Sequence, residues 1–174
     1  SMGANYINSC LEIITKKMIE EIESSNDLTE QEKEITIIMS ILSNSTPNCI
    51  VEAKAECKID EIGNINGLNA NKFIEKYSHA IEISKIDLGR AVTNNKGIMN
   101  GIDSVLIATG NDFRAVEAAV HSYACKDGKY KGLSECTIDN NIFSIKLKLP
   151  IAIGTVGGIT DLHPLVKLSH KILG

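Results

Sequence analysis

Arg90, Lys96 and Asp112 are the residues of this chain whose types and spacing best suit chemistry on a carbonyl compound. An ammonium held near a carboxylate in a partly buried pocket is tuned for work on a carbonyl oxygen. A guanidinium can grip a free carboxylate through two parallel hydrogen bonds. All three lie in RAVTNNKGIMNGIDSVLIATGND, residues 90–112, read as a Gly- and Asn-rich turn followed by a helix of small and apolar residues. A straight helix from Gly97 to Gly110 would set its ends about 20 Å apart. Contact between Lys96 and Asp112 therefore requires a break, for which Gly101 and Gly110 offer places. Without one, Lys96 is a solvated loop lysine, Asp112 caps the next helix and Arg90 is a surface cation. Asn94, Asn95 and Asn100 are turn formers, and also neutral donors that can orient charged neighbours.

Other segments carry weaker signals. The run Gly154-Thr155-Val156-Gly157-Gly158-Ile159-Thr160 permits positive φ or close backbone approach, but its spacing is not that of a dinucleotide fingerprint. Met2-Gly3-Ala4-Asn5 opens a helix whose free N–H groups can face a pyrophosphate. Five cysteines show no CxxC spacing, and four histidines form no ligand pair, so no metal is expected. The histidines read as surface or helix-face residues without a catalytic partner at a telling spacing.

These residues need positioning elements, and the pattern supplies helices and strands in an α+β order. Helices are expected over about 5–23, 70–84, 112–125 and from Pro164, where proline fits the first turn. Strands are expected over 34–42 and 49–59, joined by a hairpin-type connection at 44–48, and over 133–138 and 142–149 around Asp139-Asn140-Asn141. The Gly/Asn-rich stretch 62–71 is the expected boundary between residues 1–62 and 63–174. A net charge of −4 argues against nucleic acid or an anionic membrane surface as partner. No apolar run approaches the roughly 20 residues of a membrane span. Reduced thiols point to a cytoplasmic setting.

Four stretches in one order carry a family resemblance: Met2 to Asn5, Asn95 to Asp103 (NKGIMNGID), Ala108 to Ala118 (ATGNDFRAVEA) and Val156 to Leu165 (VGGITDLHPL). Together they resemble class II 3-hydroxy-3-methylglutaryl-coenzyme A (HMG-CoA) reductase. The resemblance is strong over 89–127 and 150–174 and looser over 24–88. It implies a partial ferredoxin-like NAD(P)-binding lobe over 1–62 and part of an α/β substrate-binding domain over 63–174. It also implies reduction of HMG-CoA to mevalonate and CoA by two hydrides from NAD(H) or NADP(H), in a homodimer or higher homo-oligomer whose active site lies at the interface. By motif, Lys96 is the lysine that stabilises the developing oxyanion, and Asp112 the aspartate bonded to it. Arg90 holds the free carboxylate of the substrate, Thr93 lies in the same segment, and Asn100 stands near the lysine. Met2, Gly3, Ala4 and Asn5 match the start of the cofactor-binding helix. The family's cofactor-ribose aspartate, upstream glutamate and downstream histidine have no counterpart here. The chain therefore reads as an internal fragment, inactive alone. The rival reading is a non-catalytic acyl-CoA- or nucleotide-binding or scaffold module.

Overall fold

The computed structural model describes residues 3–158, 160 and 162–174. Its order is α1 (Ala4–Ser24), α2 (Glu30–Lys33), β1 (Ile50–Lys58), a 3-10 turn (Ile59–Glu61), α3 (Ala70–Ile86), α4 (Leu88–Ala108), α5 (Phe113–Ala124), β2 (Ser134–Asp139), β3 (Ile142–Pro150) and α6 (Pro164–Leu173). The architecture is α+β, with one three-stranded antiparallel sheet in the order β1-β3-β2. The β2–β3 hairpin closes through Asn140 and Asn141, both at positive φ (47° and 64°), a conformation asparagine tolerates. β1 pairs with β3 along its whole length, from Ile50 opposite Pro150 to Lys58 opposite Ile142. The composition boundary at residue 62 thus separates β1 from the strand it pairs with.

Helices α4 and α5 meet β3 in the core, where Met99, Leu106, Val116, Val120 and Leu149 pack together. A second contact ties α3 to the sheet: Tyr77 lies edge-on to Phe143, with ring centroids 5.6 Å apart. The sheet and these helices form the layer on which residues 90–112 are mounted.

Three sequence expectations fail. Residues 34–42 form no strand, although they alternate like one. They are irregular and tied to α1 by Thr15 Oγ1 to Ser40 Oγ (2.8 Å) and by Leu42 N–H donating to Asn8 Oδ1 (2.9 Å). A ladder needs a second backbone, and none of the described residues offers one. The connection at 44–48 is consequently a turn leading into β1 rather than a hairpin, with Cys49 N–H donating to the Thr46 carbonyl. Residues 90–97 form no turn either. They belong to α4, which runs unbroken through Gly97 and Gly101. Asp87 caps it through the Arg90 N–H (2.7 Å), and Ala91, Asn95 and Met99 supply a buried stripe at four-residue spacing. Tertiary packing overrides the weak helix propensity of asparagine and glycine.

Candidate functional site

Because α4 is continuous, Arg90, Thr93, Lys96 and Asn100 fall at spacings of three, three and four residues. They make one row along a helix face spanning about 15 Å of rise. All four are exposed, turned away from the buried stripe. Thr93 Oγ1 donates back to the Gly89 carbonyl (2.8 Å), and the Asn100 carbonyl accepts from Ser104 Oγ (2.6 Å). Neither Arg90 nor Lys96 forms an ion pair among the described residues. The row therefore presents two cations and two neutral polar groups to solvent, ready for an anionic or carbonyl-bearing ligand.

Asp112 is not brought to Lys96 within the chain. From Lys96 to the end of α4 the helix rises about 18 Å, and Thr109, Gly110 and Asn111 intervene. The break foreseen at Gly101 does not occur; Gly110, at φ 71°, ends the helix instead. Asp112 caps α5, accepting from the Ala115 N–H (3.3 Å), and its carboxylate lies 3.5 Å from Arg114 Nε. Burial alone would raise its pKa, but the Ala115 amide and the Arg114 guanidinium are among the groups that outweigh burial and hold it below the usual carboxylate value. The carboxylate is ionised at neutral pH.

The loop that carries Asp112 is fixed from two sides. Asn111 Oδ1 accepts from the Gly154 N–H (3.0 Å), while its Nδ2 donates to Thr109 Oγ1 (3.0 Å). His170 of α6 places Nε2 3.3 Å from the Thr109 carbonyl. The Gly-rich segment thus acts as a brace for the α4–α5 corner. Its own turn uses Gly157 and Gly158 at positive φ, with Thr160 Oγ1 donating to the Gly157 carbonyl (2.6 Å).

At the start of the chain, Gly3 is the N-cap of α1 at φ 88°, with no side-chain cap. Ala4 and Asn5 occupy the first turn. Met2, placed with them from the sequence, lies outside the described residues. A side chain starting at Gly3 would meet nothing within 4 Å, and no acidic residue stands in the first turn. The N-cap of this turn has no side-chain hydrogen bond among the described residues, so its first N–H groups offer a fit for an anionic group.

The structure gives a different place to Asn95, expected as a turn former and neutral donor, and adds Asp103, which the sequence did not single out. Asn95 is completely buried. Its Nδ2 donates to the Lys131 carbonyl and its Oδ1 accepts from the Leu133 N–H, both at 2.9 Å. It pins α4 to the 126–133 turn one residue before Lys96. Asp103 on α4 has a buried Oδ1 with no hydrogen-bond partner of ordinary geometry among the described residues, and burial together with Glu117 of α5 pushes its pKa up. The sequence signal for Asn95 was its four-residue spacing from Ala91 and Met99, hidden by reading the segment as a turn. Among the described residues no group of three or more His, Cys, Asp or Glu is placed to hold a metal ion. No described helix is long and apolar enough to cross a membrane.

Comparison with known proteins adds a second line. The family model described as Hydroxymethylglutaryl-coenzyme A reductase matches residues 1–174. The chain is 38% identical over 176 residues to the 3-hydroxy-3-methylglutaryl-coenzyme A reductase of Archaeoglobus fulgidus, covering 100% of this chain and 36% of that protein. It is 34% identical over 175 residues to the probable enzyme of that name from Borreliella burgdorferi, covering 99% and 37%. Among solved structures it resembles the Streptococcus pneumoniae 3-hydroxy-3-methylglutaryl-coenzyme A reductase, with a TM-score of 0.83, 35% identity, and coverage of 99% of this chain and 39% of that one. The class II reductase from the same organism, described as bound to NADPH in open conformations, gives a TM-score of 0.83 at 36% identity, with the same coverage. The chain spans little more than a third of the length of the curated relatives it matches.

Proposed function

Because this chain belongs to the hydroxymethylglutaryl-coenzyme A reductase family, we propose that it supplies part of the active site for the interconversion of HMG-CoA with mevalonate and CoA. The observation that carries this reading is the α4 row of Arg90, Thr93, Lys96 and Asn100 on one open helix face. In it, the Arg90 guanidinium takes the free carboxylate of the HMG group, and Thr93 and Asn100 donate to neighbouring oxygens. The Lys96 ammonium donates to the thioester oxygen, where its charge counts most as negative charge develops. When bound, NAD(H) or NADP(H) supplies or accepts the hydride. Ala4 and Asn5, with Gly3 and Met2, would hold its pyrophosphate at the start of α1. The NADPH-bound relative supports this choice of cofactor.

The separation of Lys96 from Asp112 along α4 supports a homodimeric or higher homo-oligomeric site. A partner copy brings an Asp112 to the Lys96 of the first, where the ionised carboxylate keeps the ammonium charged. We place the lobe boundary before β1, with residues 1–42 in the cofactor-binding part and the sheet in the substrate-binding part. We also place the protein in the cytoplasm, in keeping with five free thiols. No residue here matches the family's upstream glutamate or downstream histidine, so the 174-residue chain alone does not turn over.

The test is a chimera in which residues 1–174 replace the matching 36% of the Archaeoglobus enzyme. HMG-CoA-dependent oxidation of NADH or NADPH is expected, lost in Lys96→Ala and raised in KM by Arg90→Ala. A soluble, dimeric chimera without turnover, or one indifferent to Lys96→Ala, overturns the reading. Steady turnover by the isolated chain above its Lys96→Ala control overturns the expected inactivity.

A further inference from the structure

At the far end of α5 from Asp112 lies an open cavity of about 450 Å³ unconnected with the α4 row. Five lysines line it, from three places in the fold: Lys85 near the end of α3, Lys126 and Lys131 in the turn after α5, and Lys146 and Lys148 on β3. Only two carboxylates, Asp127 and Glu135, share that lining. In a chain whose net charge is −4 this is a local reversal of sign.

The floor of the cavity is rigid. Gly132 seats its backbone against Ser84, where any Cβ would lie 2.0 Å from the Ser84 Oγ, and its N–H donates to the Ser84 carbonyl (2.8 Å). Asn95 clamps the residues on either side, through the Lys131 carbonyl and the Leu133 N–H. The Lys131 N–H donates to the Ala124 carbonyl (3.1 Å). The lysines thus project from a floor already fixed, which reduces the ordering cost of binding.

The resident counter-charges are loosely held. Lys85 pairs with Glu82, Lys131 with Asp127 and Lys146 with Glu52, and those carboxylates are 63%, 58% and 47% exposed. Exposed pairs of this kind contribute little and exchange readily. Lys126 sits over the Tyr123 ring, 4.0 Å from its centroid, and Lys148 has no ion pair among the described residues. No arginine lines the cavity, so anion recognition there rests on five ammonium point charges, which together suit a group carrying several negative charges, such as a di- or triphosphate. Its concave form and volume suit a small molecule rather than the extended stripe of a nucleic-acid face.

We propose that this cavity binds a small ligand through its di- or triphosphate group, either free or carried by a nucleotide. The reading is independent of the reductase assignment. The test titrates the 174-residue chain with pyrophosphate, tripolyphosphate and ADP, followed by calorimetry and by backbone amide shifts. Amide shifts are expected in residues 126–135, with affinity falling as salt rises. Lys126→Gln/Lys148→Gln is expected to weaken binding at least ten-fold, and Lys16→Gln/Lys17→Gln on exposed α1 to leave it unchanged. ADP binding more tightly than pyrophosphate identifies a nucleotide, and equal binding a free polyphosphate; either supports the site. No binding up to about 1 mM, amide shifts mapping elsewhere in the unmodified chain, or equal weakening by both double variants overturns it.

Discussion

Replacing Asn95 tests how firmly α4 is set. The side chain is completely buried and satisfies two backbone groups at 2.9 Å, the Lys131 carbonyl and the Leu133 N–H. Asn95→Ala removes both partners at once and empties the amide's volume. Each stranded group costs about 1 kcal/mol where some water can reach it, and the small cavity adds about 1 kcal/mol, giving roughly 3 kcal/mol. For a chain of this size that lowers the melting temperature by about 6–12 °C. Asn95→Asp discriminates further. It keeps an acceptor for the Leu133 N–H but loses the donor and sets a buried carboxylate oxygen against the Lys131 carbonyl. Burial and that repulsion raise the new carboxyl's folded pKa. Its penalty is therefore small below the ordinary aspartate pKa and grows as pH rises through the raised value. Urea unfolding of the native chain and both variants at pH 4.5 and 7 is the assay. Asn95→Ala within about 0.5 kcal/mol of the native chain, or an Asn95→Asp penalty equal at both pH values, refutes the clamp.

Four further outcomes are expected. Gly132→Ala is destabilising by about 1–3 kcal/mol from overpacking, and most of that cost should vanish when combined with Ser84→Gly; an additive double-mutant cycle would sink the steric explanation. Asp103, whose folded pKa is raised by burial and by Glu117, contributes stability below the ordinary carboxylate pKa that is lost as pH rises through its raised value. Asp103→Asn should therefore gain on the native chain between pH 4 and 7 in urea midpoints, and a constant difference speaks against the pair. Asp112→Ala should cost about 1 kcal/mol as a lost cap while Asp112→Asn keeps it, yet both should abolish turnover in the chimera; an active Asp112→Asn chimera removes the charge from the mechanism. The ionised Asp112 contributes stability above its unfolded pKa that disappears as pH falls through its lowered folded value, a loss absent from Asp112→Ala in acid titrations.

Much of this molecule is legible in its residues, and the exceptions share a cause. α1, α3, α5, α6, β1 and the β2–β3 hairpin follow local rules: apolar periodicity, an N-cap asparagine or aspartate, a proline at N1, paired asparagines at positive φ. Residues 34–42 carry a strand's alternation, but a strand exists only with a neighbour, and that information is not local. The Asn94-Asn95 pair carries a turn's composition, yet Asn95 finds its partners 36 and 38 residues away in the folded chain. The residue types of the candidate site, and their order, were readable. Their placement in a row on one face was not, because it depended on that distant contact. Nor could spacing reveal that Asn111, a small polar residue in a corner, would brace the loop through Gly154.

The unbroken course of α4 also limits how this surface can change. Arg90, Thr93, Lys96 and Asn100 are teeth on a single comb, and their intervals are fixed by helical pitch at about 1.5 Å per residue. No substitution among them can widen one interval without disturbing the rest, and Asn95 prevents the comb from rolling about its own axis. A longer, shorter or differently branched ligand must therefore be accommodated by whatever faces the row. Selectivity would drift through the opposing surface, while the comb itself accepts replacement of a tooth but not a change of gauge.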